Sequence, residues 1–361
     1  MNTIAVKLKN LTKQFGDVTA LDDINLEVKD GDFYFLLGPS GCGKTTLLKV
    51  IAGLELPTKG SVTIAGKDVT MLPANHRNTA TVFQEWALFP HMNVYDNIAF
   101  GLRMMKVSRA EVKKKVSELL DLFRMTGFEK RFPFQLSGGQ QQRIAMARAL
   151  AIEPDVLLLD EPLSNLDLTL RQQMRVELVR LHKEIQKTFI YVTHDQTEAL
   201  SMATQIAVMG VGEIEQIDTP EQIYKHPVNE YVAKFIGEAN ELHGSVQKTD
   251  SRVIFKTDSG IKLHATIKNE DTLNSNKVVC IIRPEHIKIL SESAPKPANY
   301  FEATIDNYSY LGKQIRLWVK LNPSGDILFV DIFAEELDEV RRGKPLTVGF
   351  DSMHTICFEG N

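Results

Sequence analysis

The chain has 361 residues, 43% of them hydrophobic and 24% charged, with a net charge of -4 at pH 7. This is the make-up of an ordinary globular protein with room for two domains, and its acidic balance excludes nucleic acid as the main partner, because phosphate backbones are bound by basic surfaces. Cys42, Cys280 and Cys357 are widely spaced, make neither a disulfide framework nor a metal site, and suit a reducing cytoplasm.

Met1–Lys7 turns charged too soon for a signal peptide, and the apolar runs are strand-length. A membrane role must then come through a partner. Ile4–Leu8, Ile24–Val28 and Val62–Ile64 read as strands of an antiparallel edge. Between them Phe15 can stack on an adenine ring or pack as an ordinary phenylalanine. Phe33–Leu37 is a buried strand, followed by Gly38-Pro39-Ser40-Gly41-Cys42-Gly43-Lys44-Thr45 and a helix from Thr45 to Ile51 that ends before Gly53. Strand, G-x-x-x-x-G-K-[ST] and helix in that order form a phosphate loop. Backbone N–H groups can wrap phosphates, Lys44 brings a cation to them, and the Thr45 hydroxyl can ligate Mg²⁺. Cys42 reads as a space-filler.

Thr81-Val82-Phe83-Gln84 ends a strand and opens a polar and aromatic loop, Glu85–Val94. The Gln84 amide can touch both a metal ion and water without adding charge, or it can be a solvated loop side chain. Arg109–Phe123 repeats apolar residues at helical spacing. Leu136-Ser137-Gly138-Gly139-Gln140 then starts another helix, with Ser137 as N-cap and two glycines that let a ligand approach backbone N–H groups. That geometry favours an anion, although a plain helix cap has the same composition. Val156–Leu159 is a buried strand ending in Asp160 and Glu161. Successive strand residues face opposite ways, so Asp160 suits a metal role and Glu161 is free to polarise an attacking water. A helix through Leu170, Met174, Leu178 and Leu181 leads to the strand Phe189–Val192 and to His194, at the mouth of the sheet. His194 is either a structural hydrogen-bonder or a sensor of the γ-phosphate, and Asp195 with Glu198 reads as an Asp-x-x-Glu helix start.

Strand, helix and strand with right-handed crossovers imply a mainly parallel α/β sheet. After Gly237 only short strands follow: a hairpin around Asp258-Ser259-Gly260, then Val278–Ile282, Ile287–Leu290, Ala303–Ile305, Ile315–Val319, Ile327–Val330 and Leu346–Val348. They read as a small β-barrel of the OB kind. The expected domains are 1–236 and 237–361.

These motifs, in this order, resemble the ATP-binding cassette family, with its Walker A, Q-loop, signature, Walker B, D-loop and H-loop. The D-loop is Ser164-Asn165-Leu166-Asp167, where the common form has alanine in place of Asn165. Gly212–Tyr224, with Asp218 where glycine is common, Phe235-Ile236-Gly237-Glu238 and Ile282-Arg283-Pro284-Glu285-His286 look like the importer branch with a C-terminal TOBE domain. The resemblance implies a P-loop ATPase fold. It implies ATP held by Phe15, Gly38, Pro39, Ser40, Gly41, Cys42, Gly43, Lys44, Thr45 and Thr46, with Ser137, Gly138, Gly139, Gln140 and Asp167 supplied by a second copy. Mg²⁺ would be held by Thr45, Gln84 and Asp160, and Glu161, His194 and Gln84 would act on the water. The implied assembly is a head-to-tail homodimer on the cytoplasmic face of the inner membrane. It would dock through the Glu85–Val94 loop on the coupling helices of two permease subunits and serve a solute-binding protein indirectly. Phe235–Asn240 and Tyr310-Leu311-Gly312-Lys313-Gln314 look more like polyamine-type (spermidine or putrescine) or iron-type importers than sugar-type ones; iron(III), sugar, phosphonate or other anion import is the alternative. A soluble non-transport cassette ATPase is the reading from another class, and the absence of a second cassette or sustained heptads speaks against it.

Overall fold

The computed structural model describes residues 3–249, 252–268, 277–291, 293–339 and 345–360. Its contacts divide the chain after Ile223 into two compact units, 1–223 and 224–361. The change of sequence pattern falls later, at Gly237.

In chain order the first unit carries β1 (Ile4–Phe15), β2 (Val18–Lys29), β3 (Phe33–Leu37), α1 (Lys44–Ala52), β4 (Lys59–Ile64), β5 (Lys67–Asp68), β6 (Thr79–Val82), α2 (Val94–Met104), α3 (Arg109–Leu122), α4 (Gly138–Ala151), β7 (Val156–Asp160), α5 (Leu168–Ile185), β8 (Thr188–Thr193), α6 (Gln196–Met202), β9 (Gln205–Met209) and β10 (Ile214–Asp218). A short helix, α7 (Pro220–Lys225), follows. The central sheet has the order β10-β9-β3-β8-β7-β6. Every neighbouring pair is parallel except β9 and β10. Each residue of β3 is no more than 1% exposed, which is why Phe33–Leu37 shows no polar alternation. The parallel strands share one carboxyl edge. The residues that follow β3, β6, β7 and β8 therefore emerge together, and these are the phosphate loop, Gln84, Glu161 and His194. The strands expected at an antiparallel edge form a sheet of their own, β2-β1-β4-β5. Its inward residues, among them Val6, Leu8, Leu26 and Val62, share one core with α1 and the central strands.

Helix α1 carries the phosphate loop at its start, so what anchors its other end matters. Gly53 closes it at φ 77°, and a Cβ built there would lie 2.5 Å from Arg77 Nε. Arg77 is 5% exposed. Its guanidinium donates to the carbonyls of Val50 (2.7 Å), Ile51 (2.9 Å), Thr70 (3.0 Å) and Leu72 (2.8 Å). A cation thus satisfies the last carbonyls of the helix, where the helix dipole is negative. Helices α2, α3 and α4 pack on one another. Ser108 starts α3 with a reciprocal capping box to Glu111.

In the second unit α8 (Glu230–Phe235) precedes β11 (Asn240–Thr249), β12 (Arg252–Thr257), β13 (Lys262–Ile267), β14 (Val278–Ile282), β15 (Lys288–Leu290), β16 (Asn299–Tyr310), β17 (Gln314–Leu321), β18 (Ile327–Phe333), β19 (Pro345–Phe350) and β20 (Ile356–Glu359). The expected barrel is there, closed as β11-β12-β13-β20-β14. It is joined by a five-stranded sheet, β15-β19-β16-β17-β18, which the strand pattern alone does not separate from it. One apolar cluster serves both, with Leu242, Phe255 and Cys280 from the barrel and Ile305, Leu317 and Val330 from the sheet. Two buried asparagines bind the layers together. Asn240 on β11 donates to Ile282 O and Phe329 O and accepts from Phe329 N–H. Asn299 on β16 exchanges bonds with His264 of β13.

Removing the Arg77 guanidinium leaves buried helix carbonyls without partners, which costs about 1–3 kcal/mol for each group not rescued by water. Arg77→Ala is expected to lower the stability of the first unit by about 3 kcal/mol; an unchanged urea midpoint would refute the role given to Arg77.

Candidate active site

The phosphate loop is shaped by glycines at positions where a side chain would be strained or crowded. Gly41 and Gly43 lie at φ 84° and 105°. A Cβ on Gly43 would lie 2.6 Å from Ala20 O, and one on Gly38 would lie 2.6 Å from Met209 O and 2.7 Å from Cys42 Sγ. Cys42 is 2% exposed and packs under the loop, in keeping with a space-filling role. No side chain caps the start of α1. Its first N–H groups therefore need an outside acceptor, the condition for an anion site at a helix N-terminus. Lys44 is buried, and its ammonium donates to Gly38 O (2.8 Å) and Pro39 O (2.7 Å), with Cys42 Sγ at 3.6 Å. All three partners are neutral, so these bonds orient the charge without cancelling it.

Thr45 Oγ1 donates to Asp160 Oδ1 at 3.1 Å, which brings the loop and the end of β7 together. Burial pushes the Asp160 carboxyl above the usual carboxylate range, and the Thr45 bond opposes that rise. Among the described residues no cluster of three or more His, Cys, Asp or Glu forms a protein-only metal cage. One hydroxyl and one carboxylate are instead a hard oxygen pair that leaves room for water and phosphate oxygens, and this fits Mg²⁺.

Glu161 differs from the expectation. It is not the next alternating residue of β7 but turns into the left-handed region at φ 44°, its N–H donating to Val192 O. Backbone strain of this kind in a non-glycine residue, not strand alternation, separates Glu161 from Asp160. Its Oε1 lies 3.2 Å from His194 Nδ1. Both line a cavity of about 80 Å³ with Ser164, Arg171 and Thr193, which has room for a few water molecules. The helix start after His194 is where the sequence places it, with a different part for its glutamate. Asp195 caps α6 by accepting from the N–H groups of Thr197 and Glu198, but Glu198 does not return the bond. It turns into the core and accepts from Tyr191 OH (3.0 Å) and Thr193 Oγ1 (2.7 Å), because burial favours paired polar groups over a solvated cap.

Ser137 caps α4, as its sequence predicts, and the structure adds a reciprocal box to Gln140. The box leaves the N–H groups of Gly138 and Gly139 outside it. Both glycines also sit in tight packing within the chain. A Cβ on Gly138 would lie 3.1 Å from the Trp86 ring and 3.2 Å from Leu166, and one on Gly139 would lie 3.0 Å from Leu170. None of these neighbours belongs to the phosphate loop. Asp167 caps α5 by accepting from Leu170 N–H. Asn165, the departure in the D-loop, donates to Gln84 O at 3.0 Å. The Gln84 residue is exposed. Phe15 is 46% exposed, with the Lys13 ammonium 4.6 Å from its ring centre. Sequence reasoning missed Asn97, which is buried and holds the aromatic loop through Phe89 N–H, Phe89 O, Met92 O and Asn93 O. An Asn one turn from a cap carries no signal of that role.

A family model described as ABC transporter matches residues 21–164, and one described as TOBE domain matches 280–358. The spermidine/putrescine import ATP-binding protein PotA of Rubrobacter xylanophilus is 43% identical over 359 residues, which cover 99% of this chain and 94% of that protein. This chain belongs to the ABC transporter family. The protein of the same description from Thermotoga maritima is 44% identical over 319 residues, 88% of this chain and 87% of its own length. The solved dimeric structure of the ATP-binding cassette MJ0796, in a post-hydrolysis state with ADP and Pi, is 35% identical with a TM-score of 0.53, covering 60% of this chain and 98% of that one. As an ABC ATP-binding subunit with a TOBE domain, the chain binds ATP and is an ATPase. Among the described residues no helix is long and apolar enough to cross a membrane.

The raised Asp160 pKa has a consequence for stability. Between the ordinary carboxylate range and the raised value the folded state binds more protons than the unfolded one, so stability falls as pH rises through that window. Asparagine has no proton to lose and can still accept from Thr45. Without nucleotide, Asp160→Asn is expected to melt at a higher temperature than the parent chain at pH 7, the gap narrowing toward pH 4. Melting curves that coincide at pH 7 would contradict this.

Proposed function

We propose that the chain is the ATP-hydrolysing subunit of a polyamine importer that takes up spermidine or putrescine. The printed descriptions of relatives 43% and 44% identical over most of the chain support that solute. The observation that carries the hydrolytic reading is the pairing of Glu161 and His194 beside a small polar cavity, on the same sheet edge as Lys44 and the Thr45–Asp160 pair.

In this reading the uncapped start of α1 and the Lys44 ammonium bind the β- and γ-phosphates of ATP, and Phe15 offers a face to the adenine. Thr45 and Asp160, with Gln84 on the same edge, would hold Mg²⁺, which would neutralise charge on the phosphates. Glu161 takes the proton from the attacking water, while His194 holds the γ-phosphate side of the site and keeps Glu161 aimed. Two copies assemble head to tail, so that Ser137, Gly138 and Gly139 of one face the γ-phosphate held by the other. A dimeric cassette relative with ADP and Pi supports the pairing. The anion is then favoured by two helix dipoles at once. When the γ-phosphate leaves, one set of contacts goes with it and the dimer weakens, which is a differential-affinity switch. The 85–94 loop, with Trp86, Phe89 and His91, meets the permease subunits at the cytoplasmic face of the membrane and converts dimer closure into movement of the transport path. A solute-binding protein delivers the cargo.

Glu161→Gln is expected to slow hydrolysis by about two to three orders of magnitude with ATP binding retained; near-normal turnover removes Glu161 as base. Lys44→Ala and Ser137→Arg chains, each inactive alone, should regain activity when mixed, because one composite site is then intact. No recovery would argue against the head-to-tail pair. For the solute, the reconstituted complex should hydrolyse ATP faster with spermidine or putrescine than with maltose or ferric ion, and equal rates would remove the polyamine assignment.

A further inference from the structure

Trp86 is one of two tryptophans in the chain. Its backbone lies in the left-handed region at φ 59°, and Ala87 follows at φ 43°. Residues with a Cβ avoid this region because Cβ crowds the carbonyl oxygen. Two in succession persist only when the surroundings hold them. Arg148 of α4 supplies part of that hold, donating to Ala87 O at 2.8 Å and Trp86 O at 3.2 Å. The strained turn directs the indole inward. Its Nε1–H donates to the carbonyl of Pro162 at 3.3 Å, the residue directly after Glu161. The far edge of the same ring covers Gly138, with Cη2 at 3.1 Å and Cζ3 at 3.8 Å from the position a Cβ would occupy.

We infer that Trp86 is a positioning residue that sets the spacing between the start of the signature helix and the segment carrying Glu161. This rests on the reading of Glu161 and Ser137–Gly139 as parts of two composite ATP sites. An indole suits the task, because it is long, rigid, turns about only two side-chain torsions and carries a single donor. A shift of the 84–93 loop moves the indole, and the indole moves both Gly138 and Pro162. The loop proposed to meet the permease thereby reaches the hydrolytic carboxylate and the partner-facing helix through one side chain. Asn165, donating to Gln84 O, holds the neighbouring peptide of the same loop against the D-loop.

The test uses the full chain with Trp318→Phe, so that Trp86 is the sole indole fluorophore. Without nucleotide, Gly138→Ala should shift the Trp86 emission, since the new methyl displaces the ring. With Mg-ATP, the emission should change on dimer closure when Glu161→Gln prevents turnover. In the parent background Trp86→Ala should lower kcat at least tenfold while KM for ATP stays within about threefold, and Trp86→Phe, which keeps the ring but loses the donor, should fall between. Gly138→Ala should cost less in the Trp86→Ala background than in the parent, as expected of residues in direct contact. Trp86→Ala turnover within twofold of the parent, or losses from Trp86→Ala and Gly138→Ala that simply multiply, would overturn the assignment. Should Trp86→Ala fail to fold, the Gly138→Ala emission and the Trp86→Phe rate decide the matter alone, an unmoved emission counting against it. The two readings fail separately. An active Glu161→Gln removes Glu161 as base, and absent recovery on mixing Lys44→Ala with Ser137→Arg removes the composite site, whereas an inactive Glu161→Gln with recovery on mixing, beside a normal Trp86→Ala, removes only the role of Trp86.

Discussion

The arrangement of the first unit depends on one electrostatic condition, a buried ammonium whose hydrogen-bond partners are all neutral. Lys44 is held by two backbone carbonyls and a thiol, at the start of a helix whose first N–H groups have no side-chain cap. Positive charge and positive dipole end are stacked in one place. Such a place is comfortable only beside an anion. The left-handed glycines, the small Cys42 under the loop and the Arg77 clamp at the far end of α1 all maintain it. The paired Thr45 and Asp160 extend it toward a second, cationic ligand.

The parts of the cassette that were legible in the sequence are those in which a local rule and the fold agree. The phosphate loop, the buried strands before it and before Asp160, and the Ser137 cap each announce themselves within a few residues. The unreadable parts depend on partners far away in the chain. Arg77 looks like a surface arginine until α1 is seen to end against it, and Asn97 looks like any polar helix residue until the 89–93 loop closes on it. Glu198 fits a capping pattern, but the hydroxyls of Tyr191 and Thr193 offer it a better-paired buried position. In the second unit the strands themselves were legible, while their division between a barrel and a separate sheet was not. Alternation reports which face is buried and says nothing about which neighbouring strand pairs along the edge.

Two residue types carry meanings here that differ from their usual reading. Gly138 looks like an opening for a ligand, yet the indole of Trp86 and the side chain of Leu166 crowd the position that a Cβ would take. Its absence of side chain therefore also serves packing inside the chain. Glu161 looks like the continuation of a strand, yet its left-handed backbone is what turns it toward His194. At Glu161 the conformation that local propensity disfavours is the one that sets the geometry of the site, and it is held by a contact from another segment, the carbonyl of Val192.

The open start of α1 also has a bearing on how the chain survives before it works. A helix whose first amides have no side-chain cap and whose nearest cation is buried gains from an anion bound there. Any ligand that binds only the folded form adds to its stability by mass action, about 2.7 kcal/mol when its concentration is a hundred times its Kd. ATP is thus a chaperone-like ligand for this chain as well as its fuel. In a cell depleted of nucleotide the chain would lose this added stability along with its fuel, so the amount of the ATPase and the energy to drive it would decline together.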